Sequence, residues 1–122
     1  MGAQTGKTVL VVDDDEAFAY AASRYLQEIG YSAVIALGSV AAFRELERRP
    51  IDIMIADVAL GRGEPHGIAL GRMARNANPD MPVVLITAYP ELLEREKPLP
   101  GPSFVKPVEL RLLASAVKAA LH

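Results

Sequence analysis

Side chains that could handle a phosphoryl group stand at four separate places in the sequence: three consecutive aspartates, Asp13–Asp15, and then Asp57, Thr87 and Lys106. If these carboxylates met, each pair at ~4 Å would repel by roughly 1 to 4 kcal/mol. A hard divalent cation would relieve that repulsion and leave positions open for phosphate oxygens, so we expect magnesium, with manganese as the alternative ion. Lys106 and the Thr87 hydroxyl could hold further phosphate oxygens. This set predicts phosphoryl transfer with an aspartate as the acceptor.

The segments between these residues alternate between strand and helix patterns. Thr8 to Val12 is a β-branched apolar run typical of a strand buried on both faces, and the next segment repeats apolar residues at helical spacing. Asp15 is expected to cap the first helix, and Ser39 is expected to cap the second. The predicted strands are Thr8–Val12, Tyr31–Leu37, Ile51–Ala56, Pro82–Thr87 and Ser103–Val105. The predicted helices are Glu16–Ile29, Val40–Arg49, Ile68–Asn76, a short one between Pro90 and Pro98, and Glu109–Leu121.

Five strand-helix repeats predict an α/β fold, a doubly wound parallel sheet of five strands with helices on both faces. Ligands of such sheets bind beyond the carboxyl ends of the strands. Asp13–Asp15 follow the first strand, Asp57 the third, Thr87 closes the fourth and Lys106 follows the fifth. We therefore expect these residues to converge on one site.

Composition limits the other possibilities. A chain of 122 residues fits one domain, which we place at residues 8–122 after a tail of residues 1–7, so that output would come from this domain alone. A net charge of -2 supplies no basic surface for DNA. The sequence has no cysteine, no apolar run long enough to span a membrane, and no signal-peptide pattern. We expect a cytoplasmic protein with no membrane or direct DNA contact.

Four segments resemble the receiver domains of response regulators in two-component signalling. They are Val9–Glu16 (VLVVDDDE), the lone Asp57 at a strand end, Leu85–Ala88 (LITA) and Val105–Pro107 (VKP). The resemblance covers essentially the whole chain, and the order and strand-end placement of the motifs make it specific. It implies a flavodoxin-like sheet with strand order 2-1-3-4-5.

The resemblance also implies roles around a magnesium ion. Asp57 would be the phospho-acceptor and a metal ligand, Asp14 would bind the metal directly, and Asp13 would act mainly through water. The backbone carbonyl of Ala59 would complete the protein ligands.

On the phosphoryl side, the resemblance implies that Thr87 moves to bind the group and that Lys106 pairs with it, with a small Ala88 keeping the approach open. The peptide bond between Lys106 and Pro107 would be cis. The phosphoryl group would come from a sensor histidine kinase or a histidine phosphotransfer protein. The protein would then assist its own phosphorylation and dephosphorylation without being a conventional enzyme, and would signal to an unknown protein target or pass the group onward.

The sequence departs from the family pattern in three places. Ser103 stands where the family usually has an aromatic switch residue, and Phe104 is expected to point to the opposite face of the sheet. The segment between Thr87 and Lys106 is short and rich in proline, so we expect its helix and the nearby dimer surface to be remodelled. The loop of residues 59–67 is longer than usual.

Two alternatives remain open. In a haloacid-dehalogenase-like phosphatase, Asp13 would be the nucleophile and Asp15 the acid, with Thr87 and Lys106 in later motifs. Against it, Glu16 stands where that motif needs threonine or valine, and no acidic pair follows Lys106. The second alternative is a degenerate receiver that serves only as a protein-binding module.

Overall fold

The structure is a computed structural model that describes residues 4–61 and 66–122. Its strands are β1 (Thr8–Val12), β2 (Ser32–Ala36), β3 (Ile53–Asp57), β4 (Val83–Thr87) and β5 (Ser103–Val105). Its helices are α1 (Glu16–Glu28), α2 (Ser39–Arg48), α3 (His66–Ala77), α4 (Pro90–Arg95) and α5 (Leu110–Leu121). None of these helices combines the length and the apolar character that a membrane span requires.

The five strands form one parallel sheet in the order β2-β1-β3-β4-β5. Every residue of β3 and β4 is buried, and so is β1 beyond its first residue. Strands covered on both faces read as continuous apolar runs because neither face meets water. The predicted fold class and strand order are therefore confirmed.

Alternate residues of the central strands feed two apolar layers on opposite faces of the sheet. The first core layer takes Leu10, Met54 and Leu85 from the sheet and packs against α2, α3 and α4. The second core layer takes the residues next to these in each strand, such as Val9 and Val84, whose side chains point to the other face of the sheet, and it packs against α1 and α5. Each fully buried Leu, Ile or Val contributes about 1.5 to 3 kcal/mol to folding, so the two layers hold the strand ends in fixed positions.

Most element boundaries lie within two residues of the predicted ones, but one predicted cap is wrong. Ser39 is the first residue of α2, and the N-cap is Gly38, whose backbone is extended and which makes no side-chain cap. The Ser39 hydroxyl is buried and has no hydrogen-bond partner among the described residues. Because Ser39 has already entered the helix, its side chain cannot occupy the non-helical position from which a cap accepts a hydrogen bond.

The proline-rich segment contains a short helix, as predicted, and is tied to α3. Arg72 on α3 donates to the Glu96 carboxylate at 3.3 Å, to the Glu96 backbone carbonyl, and to the Pro98 carbonyl at 3.2 Å. The bond between Lys97 and Pro98 is cis. These contacts hold the connection from α4 to β5 against α3.

Two glycines let backbone segments approach more closely than any side chain would allow. A Cβ on Gly67 would lie 2.0 Å from the Asp57 carbonyl oxygen, and a Cβ on Gly101 would lie 1.7 Å from the Val83 carbonyl oxygen. The start of α3 therefore rests directly on the end of β3. The segment before β5 rests on the start of β4 in the same way.

The described chain also continues before β1. The Thr5 amide donates to the Gly30 carbonyl at 2.9 Å, and the Lys7 carbonyl accepts from the Ser32 amide at 3.0 Å. Residues 1–3 of the predicted tail and residues 62–65 of the predicted long loop lie outside the described residues. The boundary of the domain at residue 8 stays a prediction.

Candidate functional site

Lys106 joins two of the predicted aspartates at the carboxyl edge of the sheet. Asp13 directly follows β1, Asp57 is the last residue of β3 rather than the residue after it, and Lys106 directly follows β5. The Lys106 Nζ lies 2.8 Å from Asp13 Oδ2 and 3.1 Å from Asp57 Oδ2. Residues far apart in the sequence thus meet in one ion-paired group, as the placement of the strand ends predicted.

Three carboxylates gather beside this lysine. One oxygen each from Asp13, Asp14 and Asp57 lies within 4.8 Å of the other two. Asp13 is fully buried, Asp57 is nearly so, and Asp14 is exposed. Oxygen atoms at this spacing, open to solvent on one side, suit a hard divalent cation that keeps several waters.

Backbone amides orient each of the three carboxylates. The Asp15 amide donates to Asp13 Oδ1 at 2.9 Å, and the Ala59 amide donates to Asp57 Oδ1 at 3.0 Å. The Gly61 amide donates to Asp14 Oδ2 at 3.2 Å. Gly61 has a φ of 63°, which glycine adopts without strain. Hydrogen bonds to charged carboxylates are the stronger kind, so these amides restrict where each oxygen can lie.

Burial and ion pairing have opposite effects on the pKa values of Asp13 and Lys106. Burial raises the pKa of Asp13 above its usual value, and the hydrogen bond from Lys106 offsets only part of that effect. For Lys106, burial would lower the pKa, but the hydrogen bonds to Asp13 and Asp57 outweigh it, so the pKa is raised. The lysine therefore stays charged, while the buried carboxylate would gain from a second cation nearby.

A cavity of about 270 Å³ opens over this group. It is lined by Asp14, Asp15, Asp57, Ala59, Gly61, Ala88, Tyr89 and Lys106. Asp15 also caps α1, because its side chain accepts from the Phe18 amide, and this capping role was predicted. The cavity is wide enough for a phosphoryl group and the waters of a metal ion.

Thr87 is present at the site but does not line the cavity. It is fully buried, its Oγ1 accepts from the Tyr89 amide at 2.9 Å, and its carbonyl accepts from the Lys106 amide at 2.8 Å. To reach a phosphoryl group its side chain would have to move. The following Lys106–Pro107 bond is cis, as expected.

The two residues at the family's aromatic position lie on opposite faces of β5. Ser103 is exposed, whereas Phe104 packs against the second core layer, on the side of α1 and α5. The expected orientation of Phe104 is therefore confirmed. Ser103 and Val105, the two residues of β5 on the α4 side, carry no aromatic ring.

Sequence reasoning missed a contact made by Phe18. Its ring centroid lies 4.7 Å from Lys106 Nζ. The available signal was the predicted cap at Asp15, which places residue 18 in the first turn of α1, next to the carboxyl edge of the sheet. Which way that turn faces depends on packing, and the sequence pattern does not specify it.

Comparisons with known proteins point to one family. The family model for the response regulator receiver domain matches residues 9–100. The heme response regulator HssR of Staphylococcus saprophyticus is 30% identical over 93% of this chain and 51% of its own length. Response regulator MprA of Mycobacterium leprae is 30% identical over 93% of this chain and 50% of its own length. The chain thus spans about half the length of these two curated relatives.

Two solved structures share the fold over nearly the whole chain. One is a CheY-like receiver domain protein from Methanospirillum hungatei, with 26% identity and a TM-score of 0.80 over 94% of this chain and 93% of its own. The other is response regulator TrrA of Thermotoga maritima in complex with Mg²⁺-BeF, with 25% identity and a TM-score of 0.83 over 94% of this chain and 99% of its own. Together with the family-model match, they show that this chain belongs to the response regulator receiver domain family.

Proposed function

We propose that Asp57 accepts a phosphoryl group from a phosphohistidine donor and that a magnesium ion assists the transfer. The observation that carries this proposal is the position of Lys106 Nζ, which bridges the buried Asp13 and the cavity-facing Asp57. A cation fixed beside an acceptor carboxylate can pair with the negative oxygens of an incoming phosphoryl group. The receiver family makes the same chemistry the leading candidate.

The residues divide the work between metal and phosphoryl group. Asp14 and Asp57 would hold the ion directly, Asp13 would act mainly through water, and the Ala59 carbonyl would add a ligand. Magnesium, or manganese in its place, would neutralise charge on the phosphoryl oxygens when bound. An Asp57 carboxylate oxygen forms the new bond to phosphorus, and the bond from phosphorus to the donor imidazole breaks, with its electron pair leaving on nitrogen.

Thr87 and Lys106 would stabilise the group after transfer. Lys106 already contacts Asp57 Oδ2, so a short movement brings its ammonium to a phosphoryl oxygen. Thr87 would turn its hydroxyl from the Tyr89 amide toward another oxygen. The aspartyl phosphate would then favour whichever conformation makes these contacts better.

The proposed donor is a sensor histidine kinase or a histidine phosphotransfer protein, and the exchange is proposed to take place in the cytoplasm, where ATP charges such donors. The protein would assist its own phosphorylation and dephosphorylation rather than turn over a separate substrate. Output would be contact with a protein target or onward phosphotransfer. We do not propose direct DNA binding, because a protein with a net charge of -2 offers little of the positive charge that binding to DNA phosphates requires.

A phosphatase with Asp13 as nucleophile fits the geometry less well. Asp13 is fully buried, its Oδ2 is bound to Lys106, and its Oδ1 accepts from the Asp15 amide. Asp13 does not line the cavity over the site. Asp57 instead lines the cavity, so a substrate would reach Asp57 first.

The test is covalent labelling by acetyl phosphate, followed by intact-mass measurement. We expect one added phosphoryl group, which disappears with EDTA and in Asp57→Asn. Asp52→Asn is the matched control, because Asp52 precedes β3 at the other edge of the sheet and binds the Thr8 amide. It should label normally. Labelling that persists in Asp57→Asn would overturn the assignment, and no labelling of the wild type would favour a degenerate receiver.

A further inference from the structure

The ammonium group of Lys106 has a third neighbour besides its two carboxylates. Two of its three N–H donors point to Asp13 and Asp57, and no further hydrogen-bond acceptor for Nζ is found in residues 4–61 and 66–122. The Phe18 ring lies against another side of the ammonium, with its centroid 4.7 Å from Nζ. The lysine side chain is 18% exposed, so this contact is largely shielded from water.

Phe18 is held in this position from two directions. Its amide donates to Asp15 Oδ1 at 3.2 Å, which fixes the first turn of α1. Its ring is half-buried and packs against the second core layer. Asp15 in turn donates from its own amide to Asp13 Oδ1. The ring that covers Lys106 is therefore linked by two backbone hydrogen bonds to a carboxylate that binds the same lysine.

We propose that Phe18 is a positioning residue for phosphoryl transfer, whose ring face holds the Lys106 ammonium beside Asp57 through a cation–π contact. This inference rests on the proposed function of Asp57. The face of an aromatic ring attracts a cation by its electrostatic quadrupole. It offers no oxygen that would compete with the phosphoryl group for the lysine donors.

The choice of a neutral ring matters because the site already holds three carboxylates. A fourth would add repulsion near Asp57 and would bind the lysine firmly in place. An aliphatic side chain would shield the ammonium from water without attracting it. The ring allows Nζ to tilt from Asp57 Oδ2 toward a phosphoryl oxygen while remaining held on its other side.

The test separates electrostatics from packing by varying the ring at constant shape. Phe18 is replaced by difluorophenylalanine and by pentafluorophenylalanine, and the rate of Asp57 labelling by acetyl phosphate with magnesium is measured at subsaturating donor. Withdrawal of charge from the ring face should slow labelling progressively. The pentafluoro ring and Phe18→Leu should each slow labelling by roughly three- to tenfold relative to wild type. Phe18→Tyr keeps an electron-rich ring and should label at close to the wild-type rate.

Two controls accompany the series. Phe43→Leu removes a ring of similar burial from the first core layer, remote from Lys106, and should leave the labelling rate unchanged. In the unphosphorylated protein, the NMR signals of the Lys106 ε-methylene should show an upfield ring-current shift in wild type and Phe18→Tyr that is lost in Phe18→Leu. This measurement needs no phosphorylation, so it tests the contact even if the proposed function fails.

The outcomes are distinct. If wild type labels at Asp57 but the fluorinated series labels at equal rates, the ring acts by packing alone and the inference is wrong. If the Lys106 signals lack the ring-current shift, the contact itself is absent and the inference fails. If wild type does not label at all while EDTA and donor controls are sound, the proposed function has failed instead.

Discussion

At the scale of single residues, the walls of the cavity determine how water could reach a phosphorylated Asp57. Ala59 and Tyr89 both line that cavity, and Tyr89 is 51% exposed at its mouth. Ala59 has no polar side-chain atom that could orient a water molecule. Tyr89 carries a bulky ring that can cover the opening. Because positioning of the nucleophile supplies much of phosphoryl-transfer catalysis, hydrolysis should be slow.

We therefore predict that Ala59→Asn and Tyr89→Glu each speed the loss of phosphoryl from Asp57. The expected increase is roughly tenfold, equivalent to about 1.4 kcal/mol of activation free energy. Decay of the labelled protein, followed by intact mass after removal of the donor, gives the rate. Tyr89→Phe keeps the ring and should decay as slowly as wild type. Equal decay in wild type and both polar variants would contradict the argument.

The residues that carry charge were predictable, and the residue that orients one of them was not. Asp57 ends β3 and Lys106 follows β5, and the carboxyl ends of parallel strands must share one edge of the sheet, so their meeting could be inferred from strand order alone. Phe18 lies on a helix, and its contact depends on the rotation and tilt of α1 against the sheet. The rotation and tilt of α1 are set by core packing and cannot be predicted from the local sequence pattern.

At the scale of elements, α3 connects the site to the segment between α4 and β5. Its first turn rests on the end of β3 through Gly67, and one turn later Arg72 binds the carboxylate and carbonyl of Glu96 and the carbonyl of Pro98. A displacement at the end of β3 would thus move α3. Because α3 is hydrogen-bonded to the proline-rich segment, that segment would move with it.

We predict that Arg72→Ala loosens that segment. The free energy of unfolding should fall by about 1 kcal/mol, a modest value because the Arg72 and Glu96 side chains are each partly exposed. Amide hydrogen exchange should quicken at residues 96–101. Arg75→Ala is the control, since Arg75 lies on the same helix but donates to the Met81 carbonyl, between α3 and β4. Unchanged exchange at residues 96–101 in Arg72→Ala would show that the bonds carry no local stability.

The elements themselves differ in how well the sequence specified them. β1 and β4 are apolar apart from one terminal threonine each, a pattern typical of strands buried on both faces of a parallel sheet, and their predicted ends are nearly the observed ones. The start of α2 was misjudged because Gly38 and Ser39 are both acceptable caps by residue type. Choosing between them requires the geometry of the preceding loop.

At the scale of the whole molecule, the placement of Phe104 and Ser103 affects how a change at Asp57 could spread. Phe104 is packed in the second core layer, away from α4, and Ser103 has no ring to swing. A conformational change at Asp57 would therefore spread through Thr87 and the loops after β3 and β4 instead of through an aromatic residue of β5. The second core layer, with α1 and α5, would keep its packing.

We predict that beryllofluoride with magnesium, which mimics a phosphoryl group on Asp57, shifts NMR signals mainly in residues 59–67 and 87–102. Residues in the second core layer should change little. Thr87→Ala, which removes the hydroxyl proposed to move, should reduce the shifts in 87–102 more than those in 59–67. A largest change at Phe104, with its ring becoming exposed, would contradict this route.

The close backbone contacts at Gly67 and Gly101 have a consequence for which sequences can encode this protein. In each case even the methyl group of alanine would lie within 2.0 Å of a carbonyl oxygen, a distance that only backbone displacement can relieve. At Gly38, by contrast, an added methyl group would meet open space. Among all single-residue variants of the gene, those at Gly67 and Gly101 should thus be nearly absent from the folded population, although neither glycine carries a chemical group. Gly67 lies against Asp57, the proposed phospho-acceptor, so a substitution at Gly67 would disturb the fold and the proposed site together.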